Sequence, residues 1–303
     1  MMITKRVVAI AIALGGVMVS CSKDDDPAPE APAPETADFK MTVRGLQDLG
    51  TKYEYEGWLI VDDKPVSTGK FASTEASQEF TVLKSDLDAA TEFILSIEPT
   101  QGDLPEPSET KLLQGKFDGN LADLTVFEVV GDFSSSDNVS GQFLLAAPTS
   151  DVSGLDYAGI WFETTDQVAG LKLPVLSSGW EYEGWVVFQE PNDSLTPLST
   201  GKFTDPAEKD SAADFSGPNP GPDFPGEDFL VKAKYLEALG SDLLFPLDVR
   251  GKSVVISIEP SNDMELLTPF FLKPLAAIAG DEILTNNMMQ FDKANFPRGE
   301  VIR

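Results

Sequence analysis

The chain repeats itself, and that repetition constrains its fold more than any other feature. Tyr53-Glu54-Tyr55-Glu56-Gly57-Trp58-Leu59-Ile60-Val61 returns as Trp180-Glu181-Tyr182-Glu183-Gly184-Trp185-Val186-Val187-Phe188. Ser67-Thr68-Gly69-Lys70-Phe71 returns as Ser199-Thr200-Gly201-Lys202-Phe203, and Phe93-Ile94-Leu95-Ser96-Ile97-Glu98-Pro99 as Val254-Val255-Ile256-Ser257-Ile258-Glu259-Pro260. Three blocks recurring in one order imply one local structure made twice, because the same sequence of apolar, glycine and turn positions favours the same backbone. The second copy carries an insertion around Asp205 to Lys232, rich in Gly, Pro and Asp (Gly217-Pro218-Asn219-Pro220-Gly221-Pro222-Asp223), which reads as a long surface loop.

Each block is a short run of Val, Ile, Phe, Tyr and Trp bounded by Gly, Pro, Asp or Asn, the signature of a strand. Asp62-Asp63-Lys64-Pro65 reads as a hairpin connection. Alternation places Tyr53, Tyr55, Leu59 and Val61 on one face and Glu54, Glu56, Trp58 and Ile60 on the other. An uninterrupted strand would then bury Glu56 beside Trp58, at a cost unless the carboxylate is partnered. Gly57 therefore predicts a bulge that resets the register, and Gly184 repeats the device. Helical periodicity is confined to Leu83–Ala90 and Phe229–Leu239. The expected fold is all-β: two tandem antiparallel β-sandwich-like domains with few short helices, the first over residues 39–168, the second over 169–303 with the long loop. A length of 303 residues suits two domains.

The first residues read as an address. Lys5 and Arg6 precede an apolar run from Val7 to Val19, too short to span a bilayer comfortably and suited to a signal peptide over residues 1–20. The run ends in Met18-Val19-Ser20-Cys21, which resembles a bacterial lipobox. That resemblance implies acylation of Cys21 and cleavage before it, so the protein would meet its membrane through a lipid anchor. Residues 21–38 form an acidic, proline-rich tether. Ser22-Lys23-Asp24-Asp25-Asp26 looks like the signal that sends some lipoproteins to the outer face of the outer membrane; without it the protein would remain periplasmic. Pro27 to Pro34 favours polyproline II, and Ser22 to Glu35 would reach on the order of 40 Å.

Charge narrows the partners. With 22 Lys+Arg against 50 Asp+Glu the formal net charge is −28, which argues against nucleic acid, held mainly by basic side chains, and against any polyanion. There is no histidine and one cysteine, which excludes Ser-His-Asp and Cys-His nucleophiles, His/Cys zinc sites and intrachain disulfides. No metal site and no cofactor is read from the motifs: a Ca²⁺-binding loop of alternating aspartates is missing, and whether Ca²⁺ binds elsewhere stays open. Ser67-Thr68-Gly69-Lys70 and Ser199-Thr200-Gly201-Lys202 match Ser-x-x-Lys, but at a turn-to-strand junction where acyl-transfer chemistry would need a helix start. Glu98 and Glu259 end strands and are expected to pair with Lys70 and Lys202.

Trp58-Leu59-Ile60-Val61-Asp62-Asp63-Lys64-Pro65-Val66-Ser67-Thr68-Gly69, a strand ending Ile97-Glu98-Pro99, and the loop Asp103-Leu104-Pro105-Glu106-Pro107 together resemble the extracytoplasmic C-terminal domain of anti-sigma-K factors. The resemblance covers roughly residues 43–117 and, more loosely, 174–275. Those regulators also carry a cytoplasmic sigma-binding domain and a membrane helix, for which this chain offers no matching residues, so the resemblance implies the outer module and not sigma-factor inhibition.

The function expected on these grounds is non-catalytic: a cell-envelope lipoprotein that binds a neutral glycan, a peptide or an envelope protein. Phe215, Phe224 and Phe229 in the insertion, with Trp58 and Trp185, are the candidate contact residues, since long loops on a sheet scaffold are where binding surfaces tend to lie. The alternatives are a passive structural component of the envelope, and a hydrolase working with carboxylates alone.

Overall fold

In a computed structural model, described over residues 33–261 and 267–303, the expectation of strands with two short helices holds. The signal segment, Cys21 and the tether up to residue 32 lie outside the described residues. The strands are β1 (Thr36–Arg44), β2 (Tyr53–Val61), β3 (Lys64–Phe71) and β4 (Ser77–Leu83), then helix α1 (Lys84–Ala89), β5 (Glu92–Pro99), β6 (Lys111–Asp118) and β7 (Leu121–Leu124). Next come β8 (Ser140–Leu145), β9 (Gly159–Trp161), β10 (Leu171–Lys172), β11 (Trp180–Gln189), β12 (Leu195–Phe203) and β13 (Gly226–Asp228). Helix α2 (Lys234–Ala238), β14 (Ser253–Pro260), β15 (Leu272–Ile278), β16 (Asn287–Phe291) and β17 (Arg298–Ile302) complete the chain. Among the described residues neither helix is long and apolar enough to cross a membrane.

The strands form two antiparallel sheets, ordered β3-β2-β5-β6-β7-β17-β1-β4 and β12-β11-β14-β15-β16-β8-β9-β13, with β10 paired to β8. Each sheet curls until its end strands touch without pairing, β3 beside β4 and β12 beside β13. Within each, the repeated blocks give one four-strand unit with one register: Glu54 lies opposite Glu98 and Glu181 opposite Glu259, Trp58 opposite Ile94 and Trp185 opposite Val255. The β2–β3 hairpin closes on Asp62 and Asp63, both at positive φ (49° and 60°), the two-residue turn whose twist matches that of its strands.

The bulge foreseen at Gly57 exists, but in the neighbouring strand. Gly57 faces Gly69 and Trp58 faces Ser67, so the extra residue is Thr68 on β3; Thr200 on β12 is its counterpart. Pairing of β2 with β5 runs unbroken from Tyr53 to Ile60. Glu56 and Trp58 therefore keep one face and both are buried, instead of being separated by a register change. The glycine makes room for the bulged threonine. A methyl group on Gly57 would collide with Thr68 Oγ1 and lie 2.8 Å from the Phe93 ring, and one on Gly184 would collide with Thr200 Oγ1 and lie 2.8 Å from the Phe162 ring.

Strands do not divide between the sheets at residues 168 and 169, the expected domain boundary. The C-terminal strand β17 inserts between β7 and β1 of the first sheet, pairing Val301 with Met41 and Gly299 with Leu124, while β8, β9 and β10 belong to the second. A four-strand unit alone would expose an unpaired edge at β6 or β15; the next strand, β7 or β16, covers it, and strands from elsewhere in the chain, β17 and β8, cover those in turn. Arg303 fastens the C-terminus: its Nη1 donates to the carbonyls of Leu87 and Ala90 at 2.7 Å, and its guanidinium lies 4.2 Å from the Phe117 ring centre. Glu35–Arg303 accordingly form one unit with a continuous apolar core.

Candidate binding groove

The two repeated units hold the same buried polar lattice. Trp58 Nε1 donates to Ser96 Oγ at 2.8 Å and Trp185 Nε1 to Ser257 Oγ at 2.9 Å. Each serine hydroxyl in turn donates to the glutamate two residues on, Glu98 or Glu259. The same carboxylate oxygens accept a backbone N–H from the following loop, Ser108 N to Glu98 and Phe270 N to Glu259, both at 2.8 Å. Ser67 and Ser199, the serines of the Ser-x-x-Lys matches, donate to the buried Glu56 and Glu183. Tyr55 and Tyr182 each donate to a carbonyl eight residues earlier, Gln47 O and Pro174 O, at 2.7 Å.

This lattice reassigns several residues. Trp58 and Trp185, expected as ligand contacts, are buried and committed to structure. Glu98 and Glu259 serve the serine and the loop, while the lysines take other partners: Lys70 pairs with Asp103 at 2.8 Å and Lys202 with Glu181 at 3.0 Å. Burial raises the pKa of Glu98 against the hydrogen bonds from Ser96 and Ser108. Burial acts the same way on Asp103, but there the Lys70 ammonium prevails and holds the carboxyl below its ordinary range.

The insertion is not an open loop. Phe215 and Phe229 are fully buried, stacked within a cluster with Phe188, Tyr235 and Phe245, so they form core and cannot touch a ligand. Phe224 is half-buried and lines a cleft of about 270 Å³ with Trp161, Lys209 and the Gly217–Pro222 turn. At that cleft lie three acids, Asp210 of the insertion and Glu227 and Asp228 of β13. Asp228 accepts from Trp161 Nε1 and Thr149 N, each at 2.8 Å; Glu227 accepts from Ser216 Oγ; Asp210 accepts from Gly226 N at 2.7 Å. Burial pushes Asp210 and Glu227 up to about 7, the charge of Asp210 adding to the effect on Glu227. Burial raises Asp228 as well. Among the described residues no group of three acids is placed to hold a metal ion.

Two of the larger hollows lie elsewhere. One, of about 570 Å³, is roofed by Tyr235, Ala238 and Leu239 from α2 and its end, over Ser199, Lys202 and Ser211. The other, of about 490 Å³, opens between the two sheets. It is lined by Tyr53, Ile97, Leu49, Pro260, Phe270 and Phe271, together with Gln47, Asp48 and the threonines 51, 110 and 268. Phe270 packs tilted on Phe271 at 4.3 Å and on Trp180 at 6.0 Å between ring centres, which fixes its orientation. The same Phe270 amide is held by Glu259, so the buried lattice of the second sheet sets one wall of this groove. The first sheet sets the other, through Tyr53 and Ile97 on β2 and β5. None of the groove aromatics was foreseen as a contact; Phe270 and Phe271 lie in a loop of no regular pattern, and only tertiary packing brings them to Tyr53.

No curated protein and no solved structure matches the chain significantly. A family model does: the anti-sigma-K factor rskA C-terminal domain matches residues 31–111, the stretch that holds β1 to β5 and the loop carrying Glu98's partner Ser108.

Proposed function

We propose that this protein is a lipid-anchored, surface-exposed envelope protein, non-catalytic, that binds a neutral glycan or an extended peptide in the groove between its two sheets. The observation that carries the reading is the groove itself: about 490 Å³, lined by Tyr53, Phe270 and Phe271 together with amide and hydroxyl side chains. Pockets of this size with aromatic walls and a few convergent polar groups suit sugar rings and the side chains of extended peptides. A net charge of −28 disfavours polyanions and leaves neutral ligands and envelope proteins as partners. Anchoring rests on the lipobox-like Met18-Val19-Ser20-Cys21 and the tether that follows it. The partial family match supports an extracytoplasmic module and carries no ligand with it.

The test is a glycan and peptide array probed with the chain from Ser22 onward. Tyr53→Ala and Phe270→Ala, both half-buried, should abolish any retained ligand while leaving the melting temperature within a few degrees. Retention unchanged in both variants, or no ligand at all, overturns the groove and favours a passive structural role. Separately, Cys21→Ala should release the protein from the membrane fraction; continued lipid labelling of that variant overturns the anchor.

A further inference from the structure

We propose that the outer edge of β3 at Gly69 and Lys70 receives an extended Asp-Ser-Ala-type segment of a partner protein by strand addition. The second sheet shows how such an edge is filled. Ser211 N donates to Lys202 O at 2.9 Å and Lys202 N donates to Ser211 Oγ at 3.1 Å, so the short stretch Asp210-Ser211-Ala212 docks on the free side of β12. Asp210 occupies the space that the missing side chain of Gly201 leaves: a methyl group there would fall 2.6 Å from Asp210 Cγ.

In the first sheet the same edge lies beside β4 but is exposed at Gly69 and Lys70. Glu56 O faces β5, where Ser96 Oγ lies 3.5 Å away, as Glu183 O faces Ser257 Oγ at 3.5 Å on β14. In antiparallel pairs the hydrogen-bonding direction alternates residue by residue, so Lys70, opposite Glu56, turns its backbone N–H and C=O outward as Lys202 does. Gly69 and Lys70 are exposed, and a methyl group on Gly69 would meet nothing within 4 Å. The Lys70 side chain is drawn aside by Asp103 and by Pro99 O, which leaves the edge itself clear. Farther along β3, Pro65 has no N–H to offer, so the open stretch admits one short segment and not an extended sheet. The occupant follows from the filled copy: an acidic side chain small enough to lie over Gly69, then a residue whose N–H and hydroxyl meet Lys70 C=O and N–H. Peptide capture at a sheet edge draws affinity from these main-chain bonds.

The probe is the capped hexapeptide Lys209–Asp214, titrated into the protein and followed by backbone amide shifts. Expected are millimolar binding, shifts centred on Gly69, Lys70 and Phe71, and a roughly threefold to tenfold loss when the peptide serine is N-methylated, the equivalent of one backbone hydrogen bond. Phe270→Ala should leave this binding intact, which separates it from the groove. Shifts centred on Gly201–Phe203 instead, equal binding of the N-methylated peptide, or no shifts at millimolar peptide would overturn the proposal.

Discussion

The two sheets share a four-strand plan and differ where each curls shut. In the first, the seam between β3 and β4 is closed from inside by rings: Phe71 meets Phe80 edge-on at 5.8 Å, and Phe80 stacks on Phe39 at 5.1 Å. In the second, the corresponding seam is bridged by a carboxyl group, Asp210, which reaches from beside Gly201 on β12 to Gly226 N on β13. Apolar closure is indifferent to pH, whereas a buried carboxyl ties closure to its own protonation. The comparison teaches that one repeated scaffold can be sealed by two kinds of chemistry, and that the insertion in the second unit supplies the seal as well as decoration.

The largest effect should come from removing residues 298–303. That deletes β17 and the Arg303 contacts, leaving β1 and β7 without their shared neighbour. Loss of the cooperative unfolding transition, by circular dichroism, is the expected outcome; survival of a sharp transition would mean the first sheet closes without β17.

Phe215→Ala should cost about 3–5 kcal/mol, because a fully buried ring leaves a cavity, while Phe224→Ala at the surface should cost under about 1 kcal/mol. Denaturant midpoints would check the pair. Similar losses for both would show that the insertion packs uniformly. Deleting Ala207–Gly226 would on this account unfold the second sheet, since it removes Asp210 and Phe215 together.

Ser96→Ala and Ser257→Ala sharpen the likeness. Each strips a buried indole N–H and a carboxylate of a partner, for a loss of about 1–3 kcal/mol, and the two losses should agree within about 1 kcal/mol. A large inequality would show that the lattice repeats in geometry and not in energy.

The smallest effect separates the seams by pH. Folded Asp210 and Glu227 titrate near 7, above the usual carboxyl range near 4, so between about pH 4 and 7 the folded state binds more protons than the unfolded one. Stability should therefore fall as pH rises through this window. Asp210→Asn should flatten the slope, and Phe80→Leu should not. A profile unchanged in Asp210→Asn would remove the carboxyl from the seal.

Much of this architecture was legible in the sequence because it depends on neighbours a few residues apart. Two adjacent aspartates made the turn at 62–63 readable, and the alternation in Tyr53–Val61 gave the correct faces. Alternation also raised the right question about Glu56. The answer required Ser67 on the adjacent strand, whose hydroxyl donates to Glu56, and Thr68, which takes up the bulge. Long apolar side chains in the insertion were ambiguous for the same reason. Nothing local distinguishes Phe215, which meets Phe229, Tyr235 and Phe245 across the fold, from Phe224, which stays at the rim.

The sequence by itself determined the all-β class, the three repeated strands of each sheet, the short helices, the excess of acidic residues and the absence of histidine chemistry, all set by composition and short-range periodicity. Only the tertiary structure decided which strands complete each sheet, which aromatics are core, and that Tyr53 and Phe270 face each other across a groove. Periodicity fixes which side of a strand is buried but not what buries it. That choice belongs to pairings such as Met41 with Val301, separated by most of the chain, whose hydrogen bonds are the same whatever side chains they carry.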